Sequence, residues 1–222
     1  MTNPTDVIDL FTAKHGVYDR FIQMVGYEQG LRAFLEQSSL LRSGLRVLDA
    51  GCGTGALTLA LHEAIRLRGF ETKSLDAFDL TPAMLGSFQG KCESRGIQIR
   101  TMQANVLELD RMAPDWSDYD LIVSASMLEY IPRERLAEAL AGLRSRLANG
   151  GHLLLFITKR NWLTRPLVGW WWRSNLYDKA ELMSAFNQAG FPQAEFRAFP
   201  AAASHLATWG HIVEASNTAS AR

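Results

Sequence analysis

The stretch VLDAGCGTGA at residues 47–56 joins an apolar run to a loop with glycines at three alternate positions. Gly51, Gly53 and Ala56 satisfy the dinucleotide-binding pattern G-x-G-x-x-G/A, which indicates a phosphate cradle between a strand and a helix. Asp49 argues against a phosphate, because an anionic side chain beside the cradle would repel an anionic ligand. The acid therefore favours a ligand that carries positive charge on this side.

Length, composition and charge are those of an ordinary globular domain. The chain has 222 residues, of which 47% are hydrophobic and 21% are charged. This length corresponds to about one domain or one and a half, so a single core is expected. Formal net charge is zero, because 23 basic residues balance 23 acidic ones. The balance supplies no overall field to attract nucleic acid, so no nucleic-acid partner is predicted.

The first residues and the cysteines bear on the compartment. The N-terminal MTNPTDVIDLFTAKHG carries acids and no apolar stretch long enough for a signal peptide. No run elsewhere reaches the roughly 18 apolar residues of a spanning helix, so no membrane span and a cytoplasmic location are expected. Cys52 and Cys92 lack metal-ligand spacing, which predicts free thiols in a reducing compartment rather than a zinc site or a disulfide.

Strands and helices alternate through the middle of the chain. Five apolar segments are predicted as strands, at residues 45–50, 74–79, 97–102, 118–126 and 152–158. Helices are predicted after the first, second and fourth of these strands, from hydrophobic periodicity and from the Thr81-Pro82 start and Asn149-Gly150-Gly151 stop signals. This alternation predicts a parallel sheet with right-handed crossovers and helices on both faces.

Both ends of the chain depart from this alternation. Apolar residues at helical spacing within residues 5–40 predict two helices ahead of the sheet. Residues 178–189 begin with an aspartate cap, carry Glu181 three residues on and are followed by glycine, which predicts a helix. Two strands then follow without an intervening helix, at residues 193–199 and 205–215. A connection this short makes a hairpin, so one strand at that edge must run antiparallel.

Three features together resemble the class I S-adenosylmethionine-dependent methyltransferases: the D-x-G-x-G-x-G strand end, the acid ending the second strand, and the C-terminal antiparallel hairpin. The resemblance covers about residues 40–214, and LDAGCGTGALTLAL at 48–61 is its most specific piece. It implies an α/β fold, a Rossmann-like three-layer sandwich with a seven-stranded, mostly parallel sheet. It also implies S-adenosyl-L-methionine as cofactor, S-adenosyl-L-homocysteine as product and a small-molecule acceptor.

The resemblance also implies which residues hold the cofactor. The acid that opens the motif, here Asp49, would bind the cofactor's ammonium group directly or through water, and the glycine loop would pass under the methionine part. Asp79 matches the family acid that takes both ribose hydroxyls, which a carboxylate can accept at once. Its alternative role is to cap the helix that follows. Further cofactor contacts are implied for Gly51, Cys52, Gly53, Gly55, Leu80, Met84, Asn105, Val106 and Ser124.

At two of these positions, Met84 and Asn105, the sequence leaves the role of the side chain open. Met84 would face the adenine or fill the core, since methionine serves both purposes. Asn105 stands where the family often has an acid near the adenine amino group, and an amide oxygen can still accept from that amine. The backbone N–H of Val106 would reach a ring nitrogen. Near Ser124 the backbone would contact the methionine part of the cofactor.

Candidate proton acceptors are His15, Glu129, His205 and His211. His15 and Tyr18 belong to a segment that resembles the helical lid of small-molecule methyltransferases, so both are candidate substrate-facing residues. Glu129 follows the fourth strand, where many family members have a histidine pair. A histidine taken alone is more often structural or solvated, and methyl transfer needs a base only when the acceptor loses a proton. No metal-binding set is predicted.

The expected organisation is an N-terminal helical cap or lid at residues 1–40, a methyltransferase domain at 41–215 and a flexible tail at 216–222, in a monomer or homodimer. A tryptophan-rich insertion at residues 160–177 holds four of the six tryptophans together with three arginines. Insertions of this length are commonly functional. A substrate lid and a folded-back core piece rank equally as explanations, and a weak interfacial contact with a membrane ranks third.

The leading functional hypothesis is methyl transfer to a small, partly hydrophobic or aromatic metabolite. RNA and protein methylation rank behind it, because no added recognition domain and no excess of basic charge are present. A nicotinamide-dependent reductase is a rival enzyme that would have to tolerate Asp49. A cofactor-binding protein without transferase activity is the rival from another class.

Overall fold

The computed structural model describes residues 5–9, 11–12, 26–170 and 174–218. A seven-stranded sheet carries the fold, with strands β1 (Leu45–Ala50), β2 (Thr72–Asp79), β3 (Arg100–Gln103), β4 (Tyr119–Ala125), β5 (Leu147–Thr158), β6 (Gln193–Arg197) and β7 (Gly210–Ser216). Flanking it are the helices α1 (Tyr27–Gln37), α2 (Ala56–Leu67), α3 (Pro82–Glu93), α4 (Leu136–Arg144) and α5 (Lys179–Gln188).

The strand order across the sheet is β3-β2-β1-β4-β5-β7-β6. The first five strands of this order are parallel, while β7 is antiparallel to both of its neighbours, β5 and β6. Two large apolar clusters fill the two faces, one against α4 and α5 and the other against α1 and α2. The predicted Rossmann-like three-layer class with an antiparallel C-terminal strand is confirmed.

The switch point of the sheet lies between β1 and β4, which are neighbours although their crossovers run in opposite directions. In open α/β sheets ligands bind in the crevice beyond the carboxyl ends of the strands at this point. Asp49 lies in β1 and Asp79 is the last residue of β2, so adjacent strands bring both acids to the same edge.

Several element boundaries differ from those predicted. The third strand is Arg100–Gln103 rather than 97–102. The fifth strand begins at Leu147, ahead of the predicted stop signal, because a register irregularity lets Leu147 pair with Tyr119 before the regular ladder starts. Residues Ala201–Thr208 form a 3-10 helix rather than strand. Leu206 of this helix packs so closely on Gly30 of α1 that a Cβ there would lie 2.0 Å from Leu206 Cδ1.

The predicted N-terminal cap forms at helix α5 but only in part at helix α3. Helix α5 starts with the predicted capping box, in which Asp178 Oδ1 accepts from Glu181 N at 2.9 Å and Asp178 N donates to Glu181 Oε2 at 2.9 Å. Helix α3 begins at Pro82 as predicted, but the Thr81 side chain makes no cap hydrogen bond. Thr81 N instead donates to Asp79 Oδ1 at 2.8 Å, so the acid takes part of the capping role.

The chain ends and cysteines complete the fold. Residues 5–9 and 11–12 are helical, and together with α1 they precede the sheet. Ser216 ends β7, and Asn217 is held by hydrogen bonds to Gly151 O and Ala148 O, whereas residues 219–222 of the predicted tail lie outside the described residues. Both cysteines are free and buried. Within the described ranges, no helix has the length and apolar character needed to cross a membrane.

Candidate cofactor site

A cavity opens at the carboxyl ends of β1, β2, β3 and β4. Its wall is built from segments within residues 51–57, 78–84, 104–108 and 125–135, with Val7, Phe11 and Tyr27 from the N-terminal helices. The four segments are the loops that leave the four parallel strands, so the sheet itself brings them together. The N-terminal residues reach the same cavity from outside the sheet, which places them where a cap over the site would lie.

Close contacts explain two of the glycines in the loop after β1. Gly51 has φ +73°, and a Cβ there would lie 2.2 Å from Met127 Cγ. Gly55 has φ +94°, and a Cβ there would lie 2.1 Å from Phe88 Cδ2. Any side chain at either position would collide with a packed neighbour in addition to the backbone strain. Gly55 lies outside the cavity wall, so of these two only Gly51 borders the cavity.

Gly53 differs from both, because a Cβ there would meet nothing within 4 Å. Its position is in the cavity wall, and its N–H donates to Asp79 Oδ2 at 2.8 Å. The missing side chain therefore leaves backbone open to the cavity, which lets a ligand approach the loop closely. Cys52 also lines the cavity, and burial raises the pKa of its thiol well above the usual value.

Asp49 is fully buried in the strand that leads into this loop, and it is not itself part of the cavity wall. Its Oδ2 accepts a hydrogen bond from Thr58 Oγ1 at 2.5 Å, while its Oδ1 has no partner. Burial, with a smaller contribution from the negative charge of Asp79, raises the pKa of Asp49 to about 7. An unpaired buried carboxylate oxygen is costly, and an incoming ammonium group would satisfy it.

Asp79 lines the cavity and bridges two loops. Its two oxygens accept from Gly53 N and Thr81 N, both at 2.8 Å, and burial raises its pKa. Each carboxylate oxygen has a second lone pair, so both can accept a further hydrogen bond from a ligand hydroxyl pair. The two backbone bonds fix the direction of the carboxylate towards the cavity.

The predicted adenine-facing residues Leu80, Met84, Asn105 and Val106 all lie in the cavity wall. Met84 is also 3% exposed and packs with Phe11 and Tyr130, so it both fills the core and lines the cavity, and its contact with an adenine stays a prediction. The side chain of Asn105 is already engaged, because its Oδ1 accepts from Leu107 N at 3.0 Å and caps the short helix Val106–Arg111. Its contact with an adenine amine stays a prediction.

Ser124 lies just behind the cavity wall, and the predicted contact of the backbone near it with the methionine part of the cofactor stays a prediction. Its side chain is fully buried in β4 and its hydroxyl donates to Ala50 O at 2.8 Å, so it ties β4 to β1 behind the cavity. The wall at this strand end is formed by the next residues, Ala125, Ser126 and Met127. Ser126 has φ +53°, an uncommon value for a residue other than glycine, and it marks the sharp turn by which the chain leaves the strand.

Three of the candidate catalytic residues lie away from the cavity. Glu129 is 1% exposed and its Oε1 accepts from Thr158 N and Thr158 Oγ1, both at 2.8 Å, so it points to the end of β5. His205 lies exposed in the 3-10 helix beside α1. His211 is buried in β7 with a pKa lowered to about 4, mainly by burial. None of the three lines the cavity. His15 and Tyr18 lie outside the described residues.

The cavity wall also contains aromatic and charged side chains that the sequence did not predict there. Phe11 and Tyr130 meet edge to face with ring centroids 4.8 Å apart, and Tyr27 lines the same cavity. Glu108 and Arg135 complete the wall. The four-residue spacing of Val7 and Phe11 was the available signal for a helix face directed at one target. In the part of the chain that the structure describes, no cluster of His, Cys, Asp and Glu is arranged to hold a metal ion.

Fold and site together define an α/β protein with a cavity at the switch point of its sheet. Residues 47–151 match the family profile of the methyltransferase domain. This match covers just under half of the chain. Together with the relatives below, it supports a class I S-adenosylmethionine-dependent methyltransferase with S-adenosylmethionine as cofactor. The orphaned oxygen of Asp49, the open backbone at Gly53 and the bridging Asp79 fit that cofactor.

Individual relatives support the family and differ in size. The chain is 31% identical over 119 residues to a ubiquinone biosynthesis O-methyltransferase of Marinobacter nauticus, covering 54% of this chain and 46% of that protein. It is 28% identical over 195 residues to a highly reducing polyketide synthase of Emericella nidulans, covering 81% of this chain and 8% of the synthase. The chain thus spans less than half the length of these curated relatives.

A solved structure covers the whole fold. The magnesium protoporphyrin IX methyltransferase of Synechocystis PCC 6803, crystallised with S-adenosylmethionine, aligns over 98% of both chains with a TM-score of 0.67 and 19% identity. At this identity the likeness shows the shared fold.

Proposed function

We propose that the protein transfers the methyl group of S-adenosylmethionine to a small, partly hydrophobic or aromatic metabolite. The observation that carries the proposal is the pairing of a buried, unpartnered carboxylate oxygen at Asp49 with a glycine backbone open to the cavity at Gly53. A phosphate ligand would be repelled by Asp49, whereas an amino acid moiety would bring the ammonium group that this oxygen lacks. The match of residues 47–151 to the methyltransferase domain supports this assignment.

The cofactor supplies an activated methyl group when bound, so the protein's own contribution is positioning. Asp49 would hold the ammonium end, and Asp79 would fix the ribose through oxygens whose direction is set by Gly53 N and Thr81 N. The glycine loop would let the backbone approach the methionine part. Together these contacts would fix the methyl group in one place relative to the wall.

The remaining wall indicates the kind of acceptor. Phe11, Tyr27 and Tyr130 supply aromatic rings, and Leu57 and Ile131 supply aliphatic surface. Such a lining binds an apolar or aromatic body and excludes water from the reacting atoms. The proposed base Glu129 does not reach this wall, which favours an acceptor whose proton leaves without help from that residue. A cytoplasmic location and a monomeric or homodimeric state stay predictions of the sequence.

Calorimetry with S-adenosylhomocysteine and with the nicotinamide dinucleotides tests the cofactor directly. We expect binding of S-adenosylhomocysteine and none of the dinucleotides, and the reverse result would refute the proposal. Asp49→Ala and Asp79→Ala should each weaken the binding of S-adenosylhomocysteine by about 1 to 3 kcal/mol, the cost of an unmade charged hydrogen bond. Unchanged affinity in both variants would contradict the site assignment.

Metabolite screening then separates an enzyme from a protein that only binds the cofactor. Incubation with S-adenosylmethionine should give an acceptor whose mass rises by one methylene, and the product should be absent with the Asp79→Ala variant. Tight cofactor binding without any methylated product from a broad metabolite extract would favour the alternative hypothesis, a cofactor-binding protein without transferase activity.

A further inference from the structure

The tryptophan-rich insertion returns to the sheet through residues 174–177, and these residues touch the loop that forms one wall of the cavity. That loop, residues 126–135, joins β4 to α4 and contains only two short 3-10 turns, Leu128–Tyr130 and Arg133–Arg135. It supplies Met127, Tyr130 and Ile131 to the wall. Its shape therefore depends on contacts from outside.

Asn175 provides two of these contacts, one on each side of Tyr130. Its backbone N–H donates to Glu129 O at 2.8 Å, and its side-chain Nδ2 donates to Ile131 O at 2.7 Å. One residue thus binds the carbonyls that immediately precede and follow Tyr130. The Tyr130 ring is 8% exposed and lies edge to face against Phe11 in the cavity wall.

The segment that carries Asn175 is itself anchored. Arg133 Nη2 donates to Leu176 O at 2.8 Å, and the Arg133 guanidinium lies 4.7 Å from the centroid of the Tyr177 ring. Tyr177 O accepts from Arg160 N at 2.9 Å beside the end of β5. The backbone around Asn175 is therefore held in place on both sides. The two hydrogen bonds of Asn175 in turn hold residues 129 and 131 of the loop in place.

We propose that Asn175 is a positioning residue that sets Tyr130 against the bound cofactor by clamping the carbonyls on both sides of it. The inference rests on the proposed function, since it needs a cofactor in the cavity. It gives the end of the tryptophan-rich insertion a defined role as a brace of the cofactor site. Asn175 itself does not line the cavity, so its effect passes through Tyr130.

Asn175→Asp tests the proposal because it keeps the size of the side chain and replaces the donor with an oxygen that repels Ile131 O. We expect the affinity for S-adenosylhomocysteine to fall about 3- to 10-fold, the usual effect of one lost hydrogen bond to a site wall. Asn217→Asp is the matched control, because Asn217 Nδ2 also donates to a backbone carbonyl, Ala148 O, at 3.1 Å. This hydrogen bond does not involve the cavity wall. Its affinity should stay within about twofold of wild type.

A double-mutant cycle with Tyr130→Ala distinguishes positioning from general destabilisation. If Asn175 acts through Tyr130, Asn175→Asp should cause less than about a twofold further loss in the Tyr130→Ala background. An equal loss in both backgrounds, or no loss in wild type, would overturn the proposal. If the Asn175→Asp variant fails to fold, Asn175→Ser takes its place in the cycle, because the shorter serine side chain cannot donate to Ile131 O.

The wild-type measurement separates this inference from the function on which it rests. Failure of wild type to bind S-adenosylhomocysteine would overturn both, because Tyr130 would then have no cofactor to face. Normal binding by wild type with additive losses in the cycle would leave the proposed function standing and remove only the role of Asn175.

Discussion

Two buried carboxylates, Asp49 near the end of β1 and Glu129 just beyond β4, have closely similar surroundings. Asp49 is 0% exposed and Glu129 is 1% exposed, and burial is the main cause that raises the pKa of each to about 7. In each, one oxygen accepts from a threonine, Thr58 or Thr158, and the other has no partner. By burial, hydrogen bonding and pKa the two residues cannot be told apart.

Their neighbours separate them. Asp49 lies directly behind the glycine loop and close enough to Asp79 for that charge to affect its pKa. Glu129 instead accepts from the backbone N–H of Thr158 at the end of β5. Neither carboxylate is itself part of the cavity wall, but the loop that follows Asp49 is. A perturbed carboxylate is a candidate for function only when the surface it faces can hold a ligand. The comparison therefore supports the proposal that Asp49 binds the cofactor, whereas the hydrogen bonds of Glu129 hold the end of the sheet.

The largest expected effect concerns the stability that Glu129 contributes at different pH. Its pKa of about 7 in the folded protein lies above the ordinary 4.5, so the folded state binds the proton more tightly. The contribution is full below pH 4.5 and is lost as pH rises through 7. Relative to Glu129→Gln, the unfolding free energy of wild type should fall by roughly 3 kcal/mol between pH 4.5 and 8.

Urea denaturation at a series of pH values measures this difference, and the contribution of Asp49 cancels because both proteins contain it. Parallel stability profiles for wild type and Glu129→Gln would mean that Glu129 is not the buried, proton-retaining group described above. The same variant should bind S-adenosylhomocysteine within about twofold of wild type, since its side chain lies outside the wall.

The next effect concerns the pH dependence of cofactor binding through Asp49. An ammonium group beside this carboxylate favours its ionised form, so binding below pH 7 should release a proton. The affinity for S-adenosylhomocysteine should rise with pH, approaching tenfold or about 1.4 kcal/mol per pH unit below 7, and level off near pH 8. Calorimetry in two buffers of different ionisation enthalpy measures the released proton.

Asp49→Asn should remove most of this pH dependence, whereas Glu129→Gln should leave it intact. Equal proton release by wild type and Asp49→Asn would assign the titration to another group and would undo the distinction between the two carboxylates.

The smallest effect comes from the two threonines. Thr58→Val removes the hydroxyl that donates to Asp49, so the pKa of Asp49 should rise further and S-adenosylhomocysteine should bind about 0.5 to 1.5 kcal/mol more weakly at pH 7. Thr158→Val removes the matching hydroxyl at Glu129 and should lower stability by a similar amount. Binding measurements on both variants check the contrast, which would fail if Thr158→Val were the one that weakened binding.

The sequence predicted the parts of this structure that depend on local patterns. The glycine motif, the position of Asp79 at a strand end and the capping box at Asp178 follow from spacing alone, and adjacent parallel strands bring the two acids together. The direction of Glu129 could not be predicted, because it lies in a short 3-10 turn whose orientation depends on β5. The approach of Phe11 to Tyr130 joins positions 119 residues apart, which no local pattern encodes.

The three glycines of the loop leave unequal freedom for redesign. Gly51 and Gly55 are locked by Met127 and Phe88, so their absent side chains serve the protein's own packing. At Gly53 the space is part of the cavity. A methyl group introduced there would narrow the cavity without displacing any protein atom within 4 Å, at the cost of the backbone strain of φ +53°. If the proposed cofactor site is correct, Gly53 is therefore the position from which the protein could be made to discriminate between S-adenosylmethionine and analogues of altered shape.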